Sequence, residues 1–218
     1  LIIGKITHFV KALTYANFWL KSSMPILNDL IEKLQWLPGI GKKTAQRLAF
    51  FLLRMDVSRV KEFTDAILRA RLELKECSIC HNLGETDPCE ICSDPNRNRE
   101  IICVLEQPSD VMVIEKLGEY KGVYHILHGV ISPIDNVGPE NLRIESLVER
   151  IKRGGITEVI IATNPTSEGD ITALYIAKLL KPLNIKITRI ARGLPTGSDL
   201  GLADGTTILR ALQGRSEI

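Results

Sequence analysis

Two Cys-x2-Cys pairs, Cys77/Cys80 and Cys89/Cys92, stand eight residues apart and constrain this chain more than any other feature. Four thiolates within sixteen residues can close a tetrahedral cage around Zn2+, each pair forming one tight knuckle. A disulfide framework would suit a small secreted fold better than a mixed chain of 218 residues. A thioredoxin-like redox motif would open a helix after a strand, whereas Cys77 follows a charged helical stretch. His81 adjoins Cys80, but four thiolates already satisfy the ion, so His81 reads as a solvated loop histidine. Cys103 lies in the apolar run Ile101–Leu105 and reads as a buried small hydrophobe.

The net charge of +2 imposes no basic surface on the whole molecule, so any affinity for nucleic acid must come from local clusters of Lys and Arg. Thiols grouped for metal favour a reducing cytoplasm. No apolar stretch approaches the ~20 residues that span a bilayer, so no membrane partner is expected. Residues 1–23 are broken by Lys5, Lys11 and Lys21 and lack an A-x-A-like cleavage site, which argues against a signal peptide. Met24-Pro25 then opens a helical pattern. The preceding segment is expected to be an extension without chemistry, from an upstream start or added residues, or else an amphipathic helix packed on the body.

Leu27, Leu30, Ile31 and Leu34 recur at helical spacing, and the helix ends near Trp36. Pro38 and Gly39 force a break before a second helix from about Lys42 to Leu53. A third, Val60 to Leu74, carries Phe63, Ile67 and Ala70 on one face. Beyond the cysteines the pattern changes. Strand-length apolar runs at 100–105, 123–127, 157–162 and 185–190 alternate with helical stretches at 110–117, 140–153 and 169–180. Such alternation predicts a mostly parallel sheet covered by helices on both faces. The fold class is thus α/β, with a helical N-terminal domain and a zinc knuckle before the sheet. A Gly-rich tail follows, with a short helix near Thr206 to Leu212 capped by Asp204.

Leu37-Pro38-Gly39-Ile40-Gly41 joins the first two helices, and Lys42, Lys43, Thr44, Gln46 and Arg47 follow at once. The glycines permit backbone conformations closed to other residues and leave the next helix's first amides open to a phosphate oxygen. Lys43 and Arg47, four apart, share one helix face and can straddle a phosphate backbone. Such contacts carry affinity without reading sequence. The bland alternative is an ordinary connection with solvated basic residues; the uncapped start and clustered charge favour DNA. The segment resembles the helix-hairpin-helix motif of DNA-binding proteins. That resemblance implies that Gly39, Ile40 and Gly41 present amides to phosphate while Lys43 and Arg47 supply charge.

Glu106 ends the first strand, and Glu168-Gly169-Asp170 follows the third at a loop entering a helix. Both positions fall at the carboxyl edge of a parallel sheet, where ligands of open α/β folds gather. Three carboxylates there could hold Mg2+; equally, Glu168 and Asp170 could cap a helix and Glu106 could be an exposed strand end. The arrangement resembles the Toprim domain of topoisomerases, primases and related nucleases, in which an Asp-x-Asp pair stands after a later strand. Glu168 departs from that pattern, which leaves metal binding open and argues against catalysis.

The order helix-hairpin-helix, four-cysteine knuckle and Toprim resembles the RecR family of bacterial recombination mediators from Met24 onward. Ala45-Gln46-Arg47, Ala162-Thr163-Asn164-Pro165-Thr166 and Ile190-Ala191-Arg192-Gly193-Leu194-Pro195 add to it. The resemblance divides the chain into an extension (1–23), a DNA-binding domain (24–75), a zinc finger (76–99), a Toprim domain (100–193) and a C-terminal oligomer contact (194–218). It implies no enzymatic turnover, but a ring-like oligomer, often a tetramer, that encircles double- or single-stranded DNA without sequence preference. It also implies that RecR acts with RecO and RecF to load RecA on gapped DNA, with Glu106, Glu168 and Asp170 on a partner-docking face. The alternative is a Mg2+-dependent nuclease or primase-like enzyme using those carboxylates. The turn at Arg192–Gly197 lacks the P-loop pattern GxxxxGK[ST] and reads as a sheet-edge loop or subunit contact.

Overall fold

A computed structural model of the chain describes residues 24–215; the extension at 1–23 lies outside the described residues. The chain divides between Leu72 and Glu73 into two compact units.

The first unit holds α1 (Pro25–Leu34), α2 (Lys42–Leu52) and nearly all of α3 (Val57–Glu73). Proline suits the first turn of α1, where its missing N–H would have no partner anyway. Ile31 packs on Ala45 and Ala49, one turn apart on α2, with Leu27, Leu30, Leu34 and Ile40 around them. The two alanines let the helices approach closely. The face of α3 that carries Phe63, Ile67 and Ala70 is left exposed among the described residues: none of the helix's 17 residues is buried.

The second unit opens on the cysteine knuckle, in which β1 (Lys75–Glu76) pairs antiparallel with β2 (Leu83–Gly84) and α4 (Glu90–Ser93) closes the second cysteine pair. A four-stranded sheet follows from β3 (Asn98–Leu105), β4 (Gly122–Ile126), β5 (Glu158–Ile161) and β6 (Lys186–Arg189), in the order β4-β3-β5-β6. Every pairing is parallel, as the alternation of strands and helices predicts. Successive residues of β3 feed opposite faces. Ile102 and Val104 join the core under α6 (Ile144–Lys152) and α7 (Ser167–Leu180), through Leu147, Ile176 and Leu180. Cys103 and Leu105 join the other core, with Val111 of α5 (Pro108–Glu115) and Tyr124. Both faces are covered, which explains why β3 reads as an unbroken apolar run. Burial pushes the Cys103 thiol up to about 12, so it is an inert core residue.

The single helix expected over 140–153 is split. A 3-10 turn at Pro139–Asn141 precedes α6, and Leu142 between them is extended and buried in the core. The Arg143 amide then donates to the Leu127 carbonyl at 3.1 Å, tying the break to the end of β4. The tail forms α8 (Gly205–Gln213), and Asp204 caps it as expected, accepting from the Thr206 and Thr207 amides.

Candidate functional site

In the hairpin of the first unit, Gly39 sits at φ +79°, a conformation that favours glycine, with open space where a side chain would stand. The Ile40 amide donates to the Leu37 carbonyl at 3.1 Å, and its side chain packs on the helical core. Ile40 therefore anchors the loop from within. The Gly39 and Gly41 amides have no acceptor among the described residues. Gly41 is the N-cap of α2 and offers no side chain, so the first amides of α2 are uncapped. Partial positive charge is left at that helix end.

Lys43 and Arg47 are exposed on the outward face of α2, opposite Ala45 and Ala49. They border an open groove of about 770 Å³ with Gln46, Phe50, Phe51 and Arg54. Positions 43, 47 and 50 form one stripe at helical spacing on α2, and Arg54, two residues beyond the helix end, lines the same groove. Arg54 is not among the basic residues the hairpin sequence singles out, because it stands past the helix end and joins the groove through the turn that follows α2.

All four cysteines of the knuckle are buried and free, with their sulfurs within 4.8 Å of one another. Cys80 and Cys89 sulfurs are 3.6 Å apart, far beyond a disulfide and close to the roughly 3.8 Å edge of a tetrahedron with Zn–S near 2.3 Å. The Cys89 amide donates to the Cys77 sulfur at 3.3 Å. Gly84 has a specific reason to be glycine: a Cβ there would come within 2.9 Å of the Cys89 Cβ and push the knuckles apart. The donor set fits a structural, four-sulfur zinc site with no open coordination position.

His81 is not the solvated loop residue expected. Its Nδ1 lies 2.6 Å from Glu76 Oε1, its ring meets His125 edge-on at 5.1 Å, and its side chain is only 15% exposed. It buttresses the knuckle from outside. Further bonds seat the knuckle on the sheet. The Ile126 amide donates to the Cys80 carbonyl at 2.8 Å, His128 Nε2 to the His81 carbonyl at 2.7 Å, and Arg99 to the Cys92 carbonyl at 3.1 Å. Arg143 grips Glu76 with two nitrogens, at 3.0 and 3.2 Å.

The carboxylates at the sheet edge are held by nitrogen donors. Glu106 is buried and accepts from the Asn164 amide at 2.6 Å and Asn164 Nδ2 at 2.7 Å, so it is not an exposed strand end. Asp170 accepts from Arg189 at 2.6 Å, from Arg210 at 3.0 Å and from Arg192. Thr166 caps α7 instead of either acid, its hydroxyl accepting from the Gly169 amide at 3.0 Å. Gly169 is forced by proximity, since a Cβ there would overlap the Asn164 carbonyl oxygen. Glu168 is half-buried. Among the described residues, the cysteine cluster is the one group of three or more such ligands gathered for a metal. Glu106, Glu168 and Asp170 are not gathered as a metal cluster, and Asn164 on Glu106 and the arginines on Asp170 occupy lone pairs that Mg2+ would need.

Comparison with known proteins follows the same divisions. Family models match for RecR helix-hairpin-helix over residues 27–71, RecR four-cysteine zinc finger domain over 74–94, Toprim domain over 100–191 and RecR C-terminal over 193–216. Proteins described as Recombination protein RecR from two strains of Clostridium perfringens are 53% identical over 192 residues, covering 88% of this chain and 96% of each relative. No helix among the described residues is long and apolar enough to cross a membrane. With its hairpin, cysteine cage and four-stranded parallel sheet in that order, and with this identity across most of its length, the chain belongs to the RecR family.

Proposed function

We propose that this chain is a non-enzymatic mediator of recombinational DNA repair that holds DNA through its hairpin as part of a ring of identical subunits. The observation that carries the reading is the uncapped start of α2, flanked by the Gly39 and Gly41 amides and followed by Lys43, Arg47 and Arg54 along one exposed groove. Backbone amides and basic side chains at that spacing bind phosphates without reading bases, so double- and single-stranded DNA are both ligands. Ile40 serves by fixing the loop.

A net charge of +2 makes one copy a weak binder. Several copies facing one duplex multiply weak phosphate contacts through effective concentration. The exposed apolar side chains of α3, Phe63, Ile67, Leu68 and Leu72, support burial against another copy. A tetramer is the assembly that the family resemblance implies. RecO and RecF are the partners, the sheet edge around Glu106, Glu168 and Asp170 is their docking face, and loading of RecA on gapped DNA in the cytoplasm is the outcome. Engagement of Glu106 and Asp170 by Asn164 and arginines supports a docking role over metal-dependent turnover.

The test is molar mass by light scattering, with and without DNA. A multiple of the 24.3 kDa chain, retained or raised on DNA, is expected. A strict monomer under both conditions contradicts the ring.

A further inference from the structure

The turn after β6 and the start of α8 enclose a concavity of about 440 Å³, the size of a small-molecule site. Arg192 and Arg210 line it, together with Thr163, Gly193 and Thr206. Its chemistry is set behind the wall. Arg189, Arg192 and Arg210 all converge on the single carboxylate of Asp170. One carboxylate neutralises one guanidinium, so this group is over-supplied with cations.

Nearby acids do not redress the balance. Asp204 on the rim is turned to its own helix, accepting the Thr206 amide at 2.9 Å, the Thr207 amide at 3.0 Å and the Thr207 hydroxyl at 2.6 Å. Glu106 is engaged by Asn164 and, like Glu168, does not line the concavity. Even with Asp204 counted against them, the three arginines exceed the two aspartates by one charge. Donors are in surplus too. A guanidinium carries five N–H groups in a fixed fork, and Arg192 and Arg210 each use one nitrogen on Asp170. Arg189 Nε is buried without an acceptor, and the Thr206 hydroxyl makes no hydrogen bond, among the described residues. Exposure is 14% at Arg192, 29% at Arg189 and 37% at Arg210, so water screens Arg192 poorly and Arg210 more fully.

We propose that this concavity is a phosphate site in which the outward forks of Arg192 and Arg210 and the Thr206 hydroxyl receive the anion. Asp170 is the internal counter-charge that keeps the forks aligned. Planar, bidentate donors of this kind suit phosphate oxygens. The site is separate from the hairpin, and it needs no P-loop because side-chain forks replace the backbone cradle. The volume accommodates a phosphate ester as well as the free anion.

The experiment titrates inorganic pyrophosphate into the full chain by calorimetry, with Lys43→Glu alongside to remove hairpin binding. Saturable binding should persist in Lys43→Glu and weaken about tenfold or more in Arg192→Gln and in Arg210→Gln. Asp170→Asn keeps an Oδ1 acceptor to align the forks while removing the competing charge, so it should bind at least as tightly as the parent. Thr206→Val, at an exposed position, gives a second reading should an arginine variant fail to fold; it should weaken binding with its melting temperature unchanged. Competition separates the sources of phosphate. Displacement by a 5′-phosphorylated but not a 5′-hydroxyl oligonucleotide identifies a nucleic-acid end, and displacement by neither identifies a free phosphate compound. No saturable binding, equal binding in parent, Arg192→Gln, Arg210→Gln and Thr206→Val, or loss in Lys43→Glu would overturn the proposal.

Discussion

Arg150 Nη1 donates to the Tyr124 carbonyl at 2.7 Å, and the same nitrogen reaches the Ile79 carbonyl between two zinc ligands at 3.4 Å. One guanidinium thus joins β4 to the first knuckle. Burial pulls the Arg150 pKa down, while the cysteine sulfurs around it oppose that shift. The knuckle and the sheet share their hydrogen bonds, which makes the metal site part of the α/β unit.

Removing one sulfur should therefore weaken more than the knuckle. Cys89→Ala is expected to lose zinc and roughly 4 kcal/mol or more of stability, the range reached when a structural metal is lost. Zinc content and calorimetric melting check this, and DNA binding should fall only as folding fails. A stable, zinc-free variant with an unchanged fold would contradict it.

The loop carrying Asn164 closes tightly over α7. Gly169→Ala places a methyl group where the Asn164 carbonyl oxygen lies and should destabilise the protein by about 1–3 kcal/mol. It should also loosen the grip of Asn164 on Glu106. Denaturant unfolding measures the first effect, and amide exchange at Asn164 the second.

Acid sensitivity should trace in part to Glu115, which pairs with Arg97 and accepts the Tyr124 hydroxyl at 2.6 Å. Arg97, and after it Tyr124, hold the Glu115 carboxyl below the ordinary value of 4.5 against the opposing effect of burial. A depressed carboxylate contributes stability that is fully present above its unfolded pKa and is lost as pH falls through the folded value. Glu115→Gln should be less stable than the parent at pH 7, with the gap closing below pH 4.5. A gap independent of pH would contradict this origin.

Incubation of DNA with the protein and Mg2+ or Mn2+ should give no nicking, relaxation or synthesis. Glu106→Gln would then change nothing in that assay. A metal-dependent product abolished by Glu106→Gln would establish the nuclease or primase-like alternative.

Much of this architecture was legible in the residues, because its signals are local. The two cysteine pairs, the Pro-Gly-Ile-Gly turn and the alternation of strands with helices each lie within one short window. Fates set by tertiary partners were not legible. Asp170 is claimed by arginines 19, 22 and 40 residues away, and nothing at Glu168-Gly169-Asp170 announces them. His81 reads as loop because its neighbours are polar, yet Glu76 and His125 enclose it through the knuckle's fold. The periodicity of α3 does mark an apolar face; a period cannot say that the face is left exposed among the described residues.

The central claim is that the hairpin holds DNA by phosphate contacts, and Lys43→Glu/Arg47→Glu tests it most directly. Fluorescence anisotropy on a labelled duplex, across a salt series, should show binding nearly abolished in the double variant with fold and oligomer intact. A single Arg54→Gln change should reduce the parent's salt slope by about one phosphate contact. Wild-type affinity in the folded double variant would contradict the claim.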